Sequence, residues 1–237
     1  MIADTLVVLI HGSWVGGWCW RPVERLLRNR QIASAAPTLT GLGDRYHLAR
    51  ERTGLSDHTA DIAEFLRYVD QEDIVLVGHS YGAAVATEVA MACPAKVRAV
   101  IVLDGHLTEA GRSLNETYPN LQQILAPYVD PLNPQVIQPV SAAMLGLPDT
   151  DDTKTLEARL RPLPIRANED KARYSGADLA CERSYIRFTG FPFFEETAAK
   201  AQQKGWEVSG IDTGHMGITT YPERVAEAIA RIVDLKR

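Results

Sequence analysis

The stretch IVLVGHSYGAAVATEVA, residues 74–90, decides the fold prediction, because it joins a short apolar run to a helical pattern through a serine between two glycines. Gly78, Ser80 and Gly82 match a sharp strand-to-helix turn, in which the serine hydroxyl is exposed and the glycines relieve backbone crowding. The same pattern also arises by chance in glycine-rich turns that carry a solvated serine. Its position between a strand pattern and a helix pattern favours a nucleophilic Ser80.

Short runs rich in valine, isoleucine and leucine alternate with helical patterns on both sides of this stretch. Near-continuous apolar runs are typical of parallel strands that helices cover on both faces. The last helical pattern begins at Pro222, where a helix tolerates proline. The alternation predicts an α/β fold with a doubly wound, mainly parallel sheet. The predicted strands are residues 6–10, 32–36, 74–77, 97–103, 185–189 and 207–211.

Residues 106–181 interrupt this alternation. The segment contains several prolines and acidic clusters such as DTDDTK, with only short helical patterns. It is too long for a plain loop in a compact domain, and its leucines, isoleucines and methionines make it too apolar for a disordered linker. We therefore predict a helical lid at residues 106–181, inserted into a core formed by residues 1–105 and 182–237.

Composition excludes several kinds of partner. The 237 residues suit one domain with one insertion, and the net charge of -5 comes without a block of lysines or arginines, so we expect no binding to nucleic acid or to a membrane. The three cysteines lack the spacing of a metal site. The first residues lack the basic region of a signal peptide, which predicts a cytoplasmic protein. The composition leaves open whether the chain forms a homodimer.

A serine hydroxyl becomes a good nucleophile only when a neighbouring base takes its proton. Of the six histidines, His215 follows the last predicted strand and comes after Ser80, in the chain order that serine hydrolases of this type use. We therefore predict His215 as the base. His58 is expected near a helix start as a surface or capping residue, and His79 is expected to point away from the reacting side.

The loop HGSWVGGWCW, residues 11–20, follows the first predicted strand and supplies a second requirement of acyl transfer. A tetrahedral oxyanion needs preorganised N–H donors, and loss of one such donor costs about 3–4 kcal/mol. We assign this oxyanion hole to the backbone N–H groups of Ser13 and Tyr81. In the alternative interpretation the glycines only turn the chain and the tryptophans only fill the core.

Six segments together resemble the small α/β-hydrolases that include bacterial esterases, plant methyl esterases that bind salicylate, and hydroxynitrile lyases. They are HGSWVGGWCWRPV, PTLTGLGDRYHL, LVGHSYGA, LRPLPI, YIRFTG and GWEVSGIDTGH. The resemblance extends over nearly the whole chain and implies an α/β-hydrolase fold of about six strands, a helical lid, no metal and no cofactor. Hydroxynitrile lyases typically carry threonine and lysine where this chain has Gly12 and Met216, which favours an esterase.

The chain departs from these similar proteins at the catalytic acid. Their aspartate typically follows the strand at residues 185–189, but here the segment reads YIRFTGFPFF, with Phe191 before the proline. We predict that Asp104, at the end of strand 97–103, replaces it and keeps the order of acid before His215. Similar esterases with an ordinary triad often have an aspartate at this place too. Weaker candidates for the acid are Asp212, Glu195 and Glu196.

The expected function is hydrolysis of a small carboxylic ester or lactone through an acyl-Ser80 intermediate. The predicted substrate pocket contains Trp14, His106, Phe191 and Met216. A hydroxynitrile lyase or other lyase is the first alternative. The second is a ligand-binding protein with the hydrolase fold, for which a missing acid would be natural.

Overall fold

The computed structural model describes residues 5–235 and has a parallel six-stranded sheet at its centre. Its strand order is β2-β1-β3-β4-β7-β8, which confirms the predicted fold class. Its strands are β1 Thr5–Ile10, β2 Ala33–Ala35, β3 Asp73–His79, β4 Val97–Leu103, β7 Glu182–Phe188 and β8 Glu207–Ile211. Two short strands, β5 Val136–Ile137 and β6 Leu163–Pro164, form a separate antiparallel pair.

Ten α-helices lie within residues 5–235. They are α1 Arg21–Asn29, α2 Leu55–Arg67, α3 Tyr81–Ala92, α4 Leu114–Thr117, α5 Pro119–Leu125, α6 Asp151–Glu157, α7 Arg166–Glu169, α8 Glu195–Gln203, α9 Gly217–Thr220 and α10 Pro222–Leu235. No helix in this part of the chain combines the length and the apolar character that crossing a membrane requires.

The centre of the sheet is buried on both faces, as the apolar runs predict. All six residues of β1 are buried, and all of β3 except its first residue. The prediction of burial on both faces is wrong for the two edge strands, since β2 is only half-buried and β8 is mostly exposed.

Helix α3 packs against the middle of the sheet. Its first ten residues, from Tyr81 to Ala90, are all buried, because small side chains at Ala83, Ala84 and Ala86 let the helix approach the strands closely. The C-terminal end of β3 and the N-terminal end of α3 therefore meet at one sharp turn in the middle of the molecule. Ser80 occupies this turn.

The segment 106–181, called the lid from here on, contains α4 to α7 and the β5–β6 pair. Ser113 and Glu116 cap α4, since each side chain accepts a hydrogen bond from the backbone N–H of the other residue. The buried Glu88 of α3 ties the lid to the core, because its carboxylate accepts the backbone N–H groups of Arg173 and Tyr174, both at 3.0 Å. The boundaries of the lid as a domain stay a prediction.

Candidate active site

The turn after β3 holds Ser80 in a strained conformation. Its φ of 55° and ψ of -121° are unusual for a residue with a side chain. The flanking glycines are required by space: a Cβ atom on Gly82 would lie 2.4 Å from the carbonyl oxygen of Ile10, and one on Gly78 would lie 2.5 Å from the Cα of Ala83. The sharp turn leaves the Ser80 side chain at the end of β3, where it lines a cavity together with Ser13 and His215.

His215 reaches Ser80 from the loop between β8 and α9. Its Nε2 lies 3.0 Å from Ser80 Oγ, and its Nδ1 lies 2.7 Å from Asp104 Oδ2. His215 is 5% exposed, and Asp104 is fully buried. Three groups from three separate loops thus form one continuous chain of hydrogen bonds from carboxylate to hydroxyl.

Asp104 gains its position from the sheet. It follows β4 with a φ of 43°, in the left-handed region, and its backbone N–H donates to the carbonyl oxygen of Ile186 in β7. Its second carboxylate oxygen, Oδ1, accepts the backbone N–H of Phe188 at 3.1 Å. The Asp104 carboxylate is therefore held between β7 and His215, with both oxygens engaged.

The other carboxylates considered as the catalytic acid make no hydrogen bond with His215. Glu195 is exposed and pairs with Arg187 at 3.2 Å, while Glu196 and Asp212 are also exposed. Phe191 does not take over the acid's place at Nδ1. Its ring stacks on the face of the His215 imidazole, with 4.5 Å between ring centroids and 29° between planes.

Burial shifts the pKa values of His215 and Asp104 in opposite directions. It lowers the pKa of His215, because the imidazolium form loses its water, and it raises the pKa of Asp104, where the Phe188 N–H partly opposes it. A neutral imidazole can accept a proton from Ser80. The Asp104 carboxylate beside Nδ1 then holds the ring in the tautomer that presents a free Nε2.

Two further histidines support this arrangement. His79 Nε2 donates to the backbone carbonyl of His215 at 2.8 Å, and the centroids of the two rings lie 4.7 Å apart.

His58 Nε2 donates to the carbonyl of Thr40 at 2.9 Å, so its Nδ1 accepts the Tyr81 hydroxyl at 2.7 Å. The expectation of an exposed His58 is wrong, since it is fully buried. Its spacing of four and eight residues from Ile62 and Leu66 could have indicated this.

The first loop passes directly over the nucleophile. A Cβ atom on Gly12 would lie 2.9 Å from the Ser80 Cβ, and the next residue, Ser13, lines the same cavity as Ser80. Tyr81 begins α3, whose N-terminal end carries a partial positive charge. The N–H groups of Ser13 and Tyr81 donate to no other group among the described residues, so both remain available to an oxyanion.

The cavity beside Ser80 has a volume of about 80 Å³. It is lined by Ser13, Trp14, Ser80, His106, Leu121, Ile124, Leu125, Val140, Met144, Leu145, Asn168, Phe191, Phe193, Phe194 and His215. Trp14, His106 and Phe191 were predicted here. The prediction for Met216 is wrong: it is 4% exposed in the core, and its carbonyl oxygen accepts the first hydrogen bonds of α9. Within residues 5–235, no group of histidine, cysteine, aspartate and glutamate side chains is placed to hold a metal ion.

The buried His11 makes the free energy of unfolding depend on pH. Burial lowers its pKa to about 4, and its ring accepts the Leu39 N–H and donates to the Gly12 carbonyl. Between pH 6.5 and about 4 the unfolded chain therefore binds a proton at this residue that the folded protein does not. On this account His11 alone lowers the free energy of unfolding by about 2 kcal/mol between pH 7.5 and pH 5.

Urea unfolding at these two pH values, with wild type and His11→Gln, checks this prediction. The stability difference between wild type and variant should shrink as the pH falls, since only the wild type takes up this proton on unfolding. His47→Gln is the matched control, because His47 is exposed. The same pH dependence in wild type and His11→Gln would contradict the prediction.

Comparison with known proteins gives a family match and similar enzymes. A family model described as "Alpha/beta hydrolase family" matches residues 7–228. A carbendazim hydrolyzing esterase of Nocardioides sp. (strain SG-4G) is 29% identical over 238 residues, which cover 95% of this chain and 98% of that enzyme. A pyrethroid hydrolase of Sphingobium wenxiniae is 26% identical over 268 residues, which cover 97% of this chain and 88% of that enzyme.

Solved structures show the same architecture. An extracellular α/β-hydrolase from a Paenibacillus species superimposes with a TM-score of 0.84 at 19% sequence identity, and the match covers 96% of this chain and 98% of that chain. At this level of identity the likeness concerns the fold. Because the match covers nearly the whole length of both chains, the two proteins share one fold.

Proposed function

Because the chain belongs to the α/β-hydrolase family, we propose that it is a serine esterase that cleaves small carboxylic esters or lactones. The observation that carries this proposal is the chain of hydrogen bonds from Asp104 through His215 to Ser80, at 2.7 and 3.0 Å. Two relatives support it, one named as an esterase and one as a hydrolase, which align over 98% and 88% of their own length.

The proposed reaction has two halves. His215 Nε2 removes the Ser80 proton while Oγ attacks the ester carbonyl, and the N–H groups of Ser13 and Tyr81 receive the developing oxyanion. His215 then protonates the leaving alcohol, and the acyl group stays on Ser80. A water molecule, deprotonated by His215, attacks the acyl-serine. The bond from the acyl carbon to Ser80 Oγ then breaks, His215 returns the proton to Oγ, and the carboxylic acid leaves. Asp104 stabilises the imidazolium that forms in each half.

The alternatives lose their main support. A ligand-binding protein was considered because the usual acid is absent at Phe191, but a carboxylate lies beside His215 all the same. No observation favours a lyase over a hydrolase. A small-molecule ester is the proposed partner, and the cytoplasmic location and the homodimer stay predictions.

Hydrolysis of p-nitrophenyl butyrate tests the proposal. We expect the wild type to release p-nitrophenol with saturation kinetics, and a rapid-mixing experiment to show an initial burst equal to one acyl group per active site if deacylation is slower than acylation. Mass spectrometry of the acid-quenched protein should find the butyryl group on the peptide that contains Ser80. Turnover without saturation, or acylation of another residue, would contradict the proposal.

A further inference from the structure

The cavity beside Ser80 is apolar apart from a few groups. Ten of its fifteen lining residues are aliphatic or aromatic, and none of the fifteen is a lysine, arginine, aspartate or glutamate. Ser13, Ser80 and His215 belong to the reaction chemistry already described. Two polar side chains remain that this chemistry does not use, His106 and Asn168.

His106 is 4% exposed and packs edge-on against Tyr118 and Phe194, each with 4.8 Å between ring centroids. Its backbone N–H donates to the Ser80 carbonyl, which fixes the residue next to the nucleophile. Ring atom Nδ1 is sealed from solvent without a partner, and Nε2 makes no hydrogen bond with the described residues. Burial lowers the pKa of His106 to about 3, so the ring is neutral at neutral pH.

The tautomer of His106 follows from these contacts. A buried N–H without an acceptor is rarer in proteins than a buried lone pair without a donor. The proton therefore belongs on Nε2, the nitrogen that is not sealed off, and Nε2–H can donate into the cavity that the residue lines.

Asn168 lies in α7 of the lid and is 3% exposed. Its backbone N–H donates to the carbonyl of Ile165, but its side-chain amide makes no hydrogen bond with any described residue. Neither amide atom is among the side-chain atoms sealed from solvent without a partner, so the amide of Asn168 is accessible in the cavity that this residue lines. Asn168 and His106 thus offer two polar groups, without partners among the described residues, to a ligand in one cavity.

We propose that His106 and Asn168 form a polar subsite that selects uncharged esters carrying a second hydrogen-bonding oxygen, such as a ketone or a hydroxyl, on an apolar and ring-sized body. The proposal rests on the proposed esterase function. The aromatic and aliphatic lining accommodates the apolar body. The absence of charged lining residues disfavours a substrate with a carboxylate or an ammonium group, which would be buried without a counter-charge.

A matched pair of substrates tests the subsite. Methyl 4-oxo-4-phenylbutanoate has a ketone remote from the ester, and methyl 4-phenylbutanoate lacks it. We expect the wild type to prefer the keto ester in kcat/KM by at least tenfold, after correction for the rates of alkaline hydrolysis. In His106→Phe, which keeps a ring of similar shape, this preference should fall about tenfold to hundredfold, because the hydrogen bond is lost.

Asn168→Leu is the second variant and should lower the same preference in the same direction, so the test does not depend on one variant folding. His47→Phe and Asn29→Leu carry the same substitutions at exposed positions and should leave the preference unchanged. An unchanged ratio in both cavity variants, with ester hydrolysis intact, would overturn the subsite while leaving the proposed function standing.

Binding gives a readout that needs no turnover. Acetophenone should raise the melting temperature of the wild type more than ethylbenzene does, and His106→Phe should lose this difference. If the wild type hydrolyses no ester but shows this difference, the proposed function fails and the subsite stands. Equal shifts by both compounds would count against the subsite.

Discussion

Replacing Ser80 with alanine should lower kcat for p-nitrophenyl butyrate by about 10^6-fold, because the nucleophile and its base act as one unit. His215→Ala should cost about as much, and the double variant should cost no more than either single one. The residual rate would come from the oxyanion donors and from binding alone.

The Ser80→Ala fold should stay intact. Among the described residues the Ser80 side chain makes one hydrogen bond, to His215, so we expect the backbone of the turn to stay unchanged when the oxygen is removed. Unfolding in urea should therefore differ from wild type by less than about 1 kcal/mol. Ser209→Ala, at an exposed position of β8, is the matched control for the loss of a hydroxyl. A Ser80→Ala protein that keeps its activity would remove Ser80 from the mechanism.

Asp104→Asn should lower kcat by about 10^4-fold, the loss expected when a triad aspartate becomes an amide. The asparagine can still accept the Phe188 N–H through its oxygen, so its NH2 group would face His215 Nδ1. A donor at this place favours the tautomer with the proton on Nε2, which cannot take the proton of Ser80. The charge that stabilises the imidazolium is lost as well.

Steady-state kinetics of Asp104→Asn and Asp212→Asn with p-nitrophenyl butyrate separate this role from a general effect of charge. Asp212 is exposed and is three residues before His215, so its variant should keep near wild-type activity. The expected loss in Asp104→Asn concerns kcat more than KM, since Asp104 is not among the cavity-lining residues. An Asp104→Asn variant with most of its activity would show that another group orients His215.

Local patterns carried most of the fold prediction. The apolar runs located all six strands of the main sheet within a few residues, and 97–103 and 207–211 coincide with β4 and β8. The glycines around Ser80 indicated a tight strand-to-helix turn, and the structure shows why, since a Cβ atom at either one would meet backbone. Both signals are encoded by neighbours in the chain.

Contacts between distant segments were harder to predict. The placement of Asn168 in the cavity depends on how the lid folds over Ser80, and no local pattern encodes that arrangement. Met216 follows the predicted base directly, yet it is the residue before α9 and its side chain is buried in the core. Asp104 could be nominated from its place at a strand end. The Phe188 N–H that holds it depends on the pairing of β4 with β7, which became visible only in the sheet.

The rate at which a fluorophosphonate reacts with Ser80 tests the central claim most directly, because it measures the activation of the hydroxyl without requiring the natural substrate. Intact-protein and peptide mass spectrometry should find one phosphonyl group per wild-type chain, on Ser80. Asp104→Asn should react at least about 10^3-fold more slowly, and Asp212→Asn at the wild-type rate. Equal rates for wild type and Asp104→Asn, or labelling at another residue, would contradict the account.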